Sequence, residues 1–360
     1  MKNVVYLGKY NGIVGGIERY MQKSAELLRA NGYQVHYLYT EKGGREQAQL
    51  AGAFDSVALF SPESTCLKKA DLVVIHNIIP PEILKLLPAN KSCFFAHDHN
   101  IYCQRHHYYT PLGRINCHRK YNKFWCTLCS LGRNAAPPLE EYRKLTALVL
   151  SDFMAENLRK NGFEKVVKLP GFIRRFEKEH DFMPDGVLRI LFLGQLIRGK
   201  GADLMLKALA KLDVPFCCTI AGEGNDRAML EKMVIDSKLQ DKVRFTGFVS
   251  APETLWAKCD LFFFPIRWQE PFGLVGLEAM AHGVPVMAFD LGGVREYLSC
   301  ECGALVPEKD IDAAVKMLKE LSSQPLRLQQ LGRKGREIAQ KRFSEEIFVN
   351  AFKNLAEAVK

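Results

Sequence analysis

With 360 residues the chain exceeds what one ordinary hydrophobic core fills and is long enough for two domains. Its 48% hydrophobic and 25% charged residues exclude a disordered or fibrous protein, and a net charge of +10 favours anionic partners such as nucleotide, acidic lipid or nucleic acid. No run of about 18 apolar residues occurs and the first apolar run, Val4 to Leu7, stops at Gly8, so a cytosolic protein is expected, whose eleven cysteines read as reduced thiols or metal ligands rather than disulfides.

MKNVVYLGKY predicts a buried strand that enters a glycine loop, Gly12 to Glu18, and Ile17, Tyr20, Met21, Ala25 and Leu28 then recur at helical spacing. Gly15 and Gly16 either make a tight turn or let backbone amides approach a phosphate at the helix N-terminus. The loop lacks GxGxxG spacing, which argues against a dinucleotide. Strand-like runs follow at VHYLY, SVALF, DLVVIH, SCFFAH and ALVLS, mostly separated by amphipathic segments, the signature of a parallel, doubly wound sheet.

From His99 to Leu139 the chain has no Asp or Glu but carries Arg105, Arg114, Arg119, Lys120, Lys123 and Arg133. The same stretch holds Cys103, Cys117, Cys126 and Cys129. Cys126 and Cys129 have zinc-knuckle spacing, whereas the separations to the other two are irregular; a structural tetrathiolate zinc and free buried thiols both fit. The basic, aromatic-rich segment suits an anionic acceptor or an acidic membrane surface, and equally an ordinary solvated loop.

The charged stretch VVKLPGFIRRFEKEHDFMPDG, with Pro170 and Pro184 and no periodicity, places a boundary near residue 172. A second strand series follows at VLRILFLG, FCCTIAGEG, VRFTGFV, DLFFFP and VPVMAFD, so domains of 1–172 and 173–342 are expected. Directly after its first strand, Gln195, Arg198 and Lys200 lie among Gly194, Gly199 and Gly201, a loop suited to a diphosphate, with a solvated Lys-Gly turn as the plain alternative. In QEPFGLVGLEAMAHG, Glu270 precedes a helix start and Glu278 lies about two turns inside. At about 1.5 Å per residue they stand near 10 Å apart, beyond the roughly 5 Å of a nucleophile-and-acid pair, and so suit gripping two parts of one extended ligand. Phe343, Ile347, Ala351, Leu355 and Val359 predict one face of a last helix over 343–360.

These blocks, GGIE, AHD at 96–98, GQLIRGKG, AGEG, RFTGFV and above all FGLVGLEAMAHGVPVMAFDLGGVREYL, resemble glycosyltransferase family four over nearly the whole chain. The resemblance implies an α/β GT-B fold, two Rossmann-like domains facing a central cleft, with the last helix packed back on the first domain. It implies a retaining glycosyltransferase moving a sugar from a UDP- or GDP-linked donor to a saccharide or lipid-diphosphate-linked acceptor in cell-surface polysaccharide or glycolipid synthesis. No catalytic metal is implied; the enzyme would be cytoplasmic, with peripheral contact to an anionic inner membrane face.

Carried over by residue, Glu278 takes the ribose hydroxyls and Glu270 the donor-sugar hydroxyls, since a carboxylate accepts two bonds at once. Phe272, Gly273 and Leu274 offer backbone amides, Lys200 meets the diphosphate, Gly15 and Gly16 allow its approach, His97 sits by the donor sugar, and Phe248 joins the donor-binding set. Gln195 stands where family members usually carry Arg, and Arg198 three residues on is the substitute cation. A nucleotide-sugar epimerase or hydrolase of the same shape, or a nucleic-acid-binding protein acting through the Cys-rich segment, are the competing readings.

Overall fold

The structure, a computed structural model, describes residues 3–110, 115–131, 137–174, 176, 180, 182, 185–250 and 252–358. Arg114, Arg133, Pro184 and Val359 lie outside the described residues. The chain divides into two compact units, Met1–Pro170 with Glu345–Lys360, and Gly171–Ser344.

The first unit holds seven strands, β1 (Asn3–Tyr10), β2 (Gln34–Glu41), β3 (Ser56–Leu59), β4 (Leu72–Ile75), β5 (Ser92–Phe95), β6 (Thr146–Val149) and β7 (Val166–Lys168), in the order β3-β2-β1-β4-β5-β6-β7. Every pairing is parallel. Each residue of β4 and β5 is buried, as strands covered on both faces require. The order reverses between β1 and β4, and the chain leaves the carboxyl ends of β1, β4 and β5 toward Gly15, His76 and His97 respectively. β7 falls within the stretch expected to be an aperiodic linker: three residues carry no period, and pairing of Ala147 with Val166 and Val149 with Lys168 decides their state.

Helix α1 (Gly16–Ala30) buries Tyr20, Met21, Ala25 and Leu28. Its first turn is closed by Glu18, whose Oε2 accepts the Gly15 amide at 2.9 Å and the Val14 amide at 3.3 Å, so the Glu of GGIE caps the helix. The last helix, Glu345–Ala358, packs on α1 within this unit, with Phe348 at 6.4 Å from the Tyr20 ring and Phe352 at 5.8 Å from Tyr33. Among its described side chains, Phe348, Phe352 and Leu355 are buried. The expected four-residue spacing drifts off a 3.6-residue turn: Leu355 is buried as expected, Phe348 and Phe352 replace Ile347 and Ala351 one residue earlier, and Phe343 belongs to the other unit.

The second unit contains β8 (Leu188–Leu193), β9 (Phe216–Ala221), β10 (Val243–Gly247), β11 (Leu261–Phe264), β12 (Val286–Phe289) and β13 (Gly303–Val306), all parallel, in the order β10-β9-β8-β11-β12-β13. Its core gathers Phe192, Ile220, Phe263 and Phe289 with the faces of the covering helices. The short GALV run that forms β13 was not expected as a strand. Gly303 admits it to the sheet edge, because a Cβ there would lie 2.4 Å from the Val286 carbonyl oxygen.

Candidate active site

In the second unit two loops leave the carboxyl ends of the neighbouring strands β8 and β11. The first carries Lys200 in a 3₁₀ turn, Arg198–Lys200, and the second carries Glu270. Lys200 Nζ donates to Glu270 Oε2 at 2.7 Å, with side chains 24% and 14% exposed. Two residues singled out from separate motifs thus form one partly shielded ion pair that still has a solvent-facing side.

The Lys200 turn is braced from below by a residue that sequence reasoning missed. The Arg267 amide donates to Gly199 O at 2.9 Å and its Nε to Arg198 O at 3.1 Å. Its Nη2 reaches both carboxylate oxygens of Asp203, Oδ1 at 2.6 Å, in helix Ala202–Leu209, and both residues are buried. An Arg inside an otherwise apolar strand end, FFFPIRW, was the available signal.

Packing also reassigns two glycines. A Cβ on Gly199 would lie 2.0 Å from the Trp268 ring, and Gly201, at φ +73°, would place one 1.7 Å from Pro265 O. Both glycines are buried and close packing demands them; Gly194 meets nothing closer than 3.9 Å. Gln195 and Arg198 are exposed on the same loop, and Phe248, past β10, is 56% exposed.

Helix α2 (Leu274–Ala281) begins after Gly273, which at φ +85° caps it without any side-chain hydrogen bond. Tyr297 OH donates to Gly273 O at 2.9 Å, and a Cβ on Gly276 would lie 2.2 Å from that hydroxyl oxygen, so Tyr297 fixes the helix start. The Phe272 ring is buried beside Tyr297 at 5.3 Å and Phe343 at 6.0 Å; the backbone is what Phe272, Gly273 and Leu274 can offer an anion. Glu270 is held by its own carbonyl, which accepts the Gly293 amide at 2.7 Å, and Gly292, at φ +69°, leaves room for it. Glu278, half-buried, is the fifth residue of α2, little more than one turn in rather than two.

The first unit presents Gly15 and Gly16 with nothing within 4 Å of an added Cβ. Gly15 has φ −164°, which any residue adopts. No packing or torsional demand of the chain requires glycine at either position, in contrast to Gly199 and Gly201.

His97 lies two residues beyond β5, stacked on Phe95 at 4.3 Å and edge-on to Tyr20 at 5.2 Å. Its Nε2 is 2.9 Å from Nδ1 of His76, at the end of β4, so one ring donates and the other accepts. Burial pulls the His97 pKa down to about 3 and holds His76 well below the usual imidazole value, leaving both neutral at physiological pH. His76 was not singled out, although DLVVIH and SCFFAH share the same strand-to-His ending. Next to it, burial raises the Asp98 carboxyl to about 6, against bonds from the Asn100 amide at 2.9 Å and its side chain at 2.7 Å.

Cys103, Cys117, Cys126 and Cys129 are all half-buried free thiols. Cys103 and Cys117 pack against the core of the first unit, and burial, together with the neighbouring Cys117 and Cys126 thiols, raises the Cys103 and Cys129 pKa. Among the described residues no three or more of His, Cys, Asp and Glu are placed to hold a metal ion.

Residues 174–338 match the family described as glycosyl transferases group 1. Curated relatives include a D-inositol 3-phosphate glycosyltransferase of Pseudarthrobacter chlorophenolicus, 34% identical over 153 residues, covering 40% of this chain and 36% of that protein. A GDP-mannose-dependent monoacylated alpha-(1-6)-phosphatidylinositol monomannoside mannosyltransferase of Corynebacterium glutamicum is 29% identical over 46% of this chain and 45% of its own length. The matched stretch therefore spans less than half of either relative. Among solved structures, Anabaena HepE in complex with UDP superimposes with a TM-score of 0.76 at 16% identity, covering 99% of this chain and 100% of HepE. The sucrose-phosphate synthase of Thermosynechococcus elongatus gives 0.76 at 17%, with 99% of each chain covered. The fold is GT-B.

Proposed function

We propose, because residues 174–338 match the glycosyl transferases group 1 family, that the chain is a retaining glycosyltransferase that moves a sugar from a nucleotide-sugar to an acceptor. The observation that carries this is the Lys200–Glu270 pair at 2.7 Å, set in loops at adjacent strand ends, with Glu270 just before a helix start that has no side-chain cap. An ammonium beside uncapped backbone amides suits a diphosphate, and a carboxylate beside the ammonium suits the hydroxyls of the sugar it carries.

In this reading the backbone amides of Phe272, Gly273 and Leu274 and the Lys200 ammonium hold the diphosphate. As the bond between the anomeric carbon and the diphosphate breaks, charge grows on the leaving oxygen, where Lys200 offsets it. The acceptor hydroxyl adds to the same face of the anomeric carbon and its proton passes to the departing phosphate. Glu270 orients the sugar and Glu278 accepts the ribose hydroxyls. Neutral His97 serves the sugar through Nδ1, its Nε2 being engaged by His76. Uridine and guanosine donors both have support, from the UDP in HepE and the GDP-mannose dependence of the Corynebacterium relative. A saccharide or lipid-diphosphate-linked acceptor, in cell-surface polysaccharide or glycolipid synthesis, completes the reading. An epimerase or hydrolase would share the donor grip but would turn donor over without acceptor.

Two outcomes test the donor assignment. Glu278→Ala should raise the donor Kd about 10–100-fold, the worth of charged hydrogen bonds to hydroxyls, with little change in turnover at saturating donor. A donor titration showing unchanged affinity removes Glu278 from the ribose. Gly16→Val should change stability by no more than about 0.5 kcal/mol, since the added side chain enters open space, while donor affinity falls at least about tenfold. Unaltered affinity in a fully folded Gly16→Val protein would mark Gly16 as a plain turn.

A further inference from the structure

The helix Lys123–Ser130, here α3, wears its apolar side outward. Phe124 is 70% exposed, Trp125 55%, Leu128 58% and Leu131, at its C-terminus, 65%. Phe124, Leu128 and Leu131 follow the i, i+4, i+7 spacing of one helix face, while Cys126, Cys129 and Ser130 occupy the inner arc and are half-buried or buried. A helix of a soluble protein ordinarily buries its apolar stripe; this one leaves it exposed among the described residues.

The helix is not loosely attached. Asn122 Oδ1 caps it by accepting the Trp125 amide at 3.1 Å. Just before it, the Tyr121 amide donates to Asn161 Oδ1 at 2.7 Å, Tyr108 OH donates to Arg119 O at 2.6 Å, and Lys160 Nζ donates to His118 O. The face is thus held in its outward orientation by the core of the first unit.

His118, Arg119, Lys120 and Lys123 are exposed beside it, and no Asp or Glu occurs from His99 to Leu139. We propose that this face is a docking surface for an anionic phospholipid bilayer. Phe124, Trp125, Leu128 and Leu131 enter the boundary between headgroups and acyl chains, and Arg119, Lys120 and Lys123 meet the lipid phosphates. An eight-residue helix is about 12 Å long and lies flat at this depth, with its indole at the level where Trp is favoured. Among the described residues no helix is long and apolar enough to cross a membrane, so the contact is one of surface attachment.

The test uses the full chain with vesicles of phosphatidylcholine alone or of phosphatidylcholine with phosphatidylglycerol, read by co-sedimentation and by tryptophan fluorescence. Trp256 is buried and Trp268 half-buried, so a blue shift on adding vesicles reports Trp125. Binding should require phosphatidylglycerol and weaken with salt. Phe124→Ser with Trp125→Ser, and separately Lys120→Glu with Lys123→Glu, should each lower vesicle partitioning at least about tenfold while melting like the parent protein. No binding to phosphatidylglycerol vesicles, or variants that bind as the parent does, overturns the proposal. Concentration-dependent self-association abolished by Phe124→Ser with Trp125→Ser, without vesicle binding, gives the face to a second copy of the chain and overturns it equally.

Discussion

Lys200→Ala is expected to lower turnover about 10²–10³-fold at saturating donor, the loss typical of removing one preorganised charge from a developing anion. Lys200 is held 2.7 Å from Glu270 and only 24% exposed, so its charge acts in a partly water-excluded place and needs little reorganisation when the donor bond breaks. The substitution also leaves the Glu270 carboxylate without its ammonium next to a diphosphate, and that repulsion adds to the loss. Lys200→Arg should recover little, because a planar fork does not occupy the position of a compact ammonium. Turnover within threefold of the parent for a folded Lys200→Ala protein would remove Lys200 from the reaction.

Asp203→Ala is expected to destabilise the second unit by about 3–5 kcal/mol, because it removes the Asp203 carboxylate from the buried Arg267 guanidinium it pairs with. At about 2–4 °C per kcal/mol for a unit of this size, the melting temperature of that unit should fall by about 6–20 °C. Arg267→Met combined with Asp203→Leu removes both charges from the interior and should recover most of the stability. The double variant still lacks the bonds from Arg267 Nε to Arg198 O and from its Nη2 to Asp203, so its turnover should stay low although it folds. A double variant no more stable than Asp203→Ala would show that the pair is not what holds this region together. One that melts and turns over like the parent would show that the Lys200 turn needs no brace.

Much of the architecture was readable because its strands are continuous apolar runs, such as LVVI and LFFF, that a doubly wound sheet buries on both faces. β7 and β13 escaped because three or four residues show no period; pairing with the strand before each, Ala147 with Val166 and Val286 with Gly303, makes them strands. In the last helix the spacing showed an apolar face and found Leu355, but took Ile347 and Ala351 where tertiary packing buries Phe348 and Phe352.

Within the candidate site, Lys200 and Glu270 each stood out beside glycine and proline at a strand end, yet their contact joins positions 70 residues apart and no local pattern contains it. The same holds for Arg267 with Asp203 and for His76 with His97. Glycine was the least transparent residue type. The steric surroundings show Gly199 and Gly201 to be demanded by Trp268 and Pro265, and Gly15 and Gly16 to be demanded by nothing in the chain, a distinction invisible in the letters. For the cysteines, CxxC spacing put two thiols on one helix face but could not say whether Cys103 and Cys117 would close around a metal with them.

The most direct test is nucleotide release by the purified chain across a panel of UDP- and GDP-sugars, with and without saccharide acceptors, run beside Lys200→Ala. The account predicts that one donor class is bound and turned over, that acceptor accelerates release and yields a product retaining the donor's anomeric configuration, and that Lys200→Ala loses nearly all of this turnover. Failure of every nucleotide-sugar to bind, or full turnover by Lys200→Ala, would contradict it.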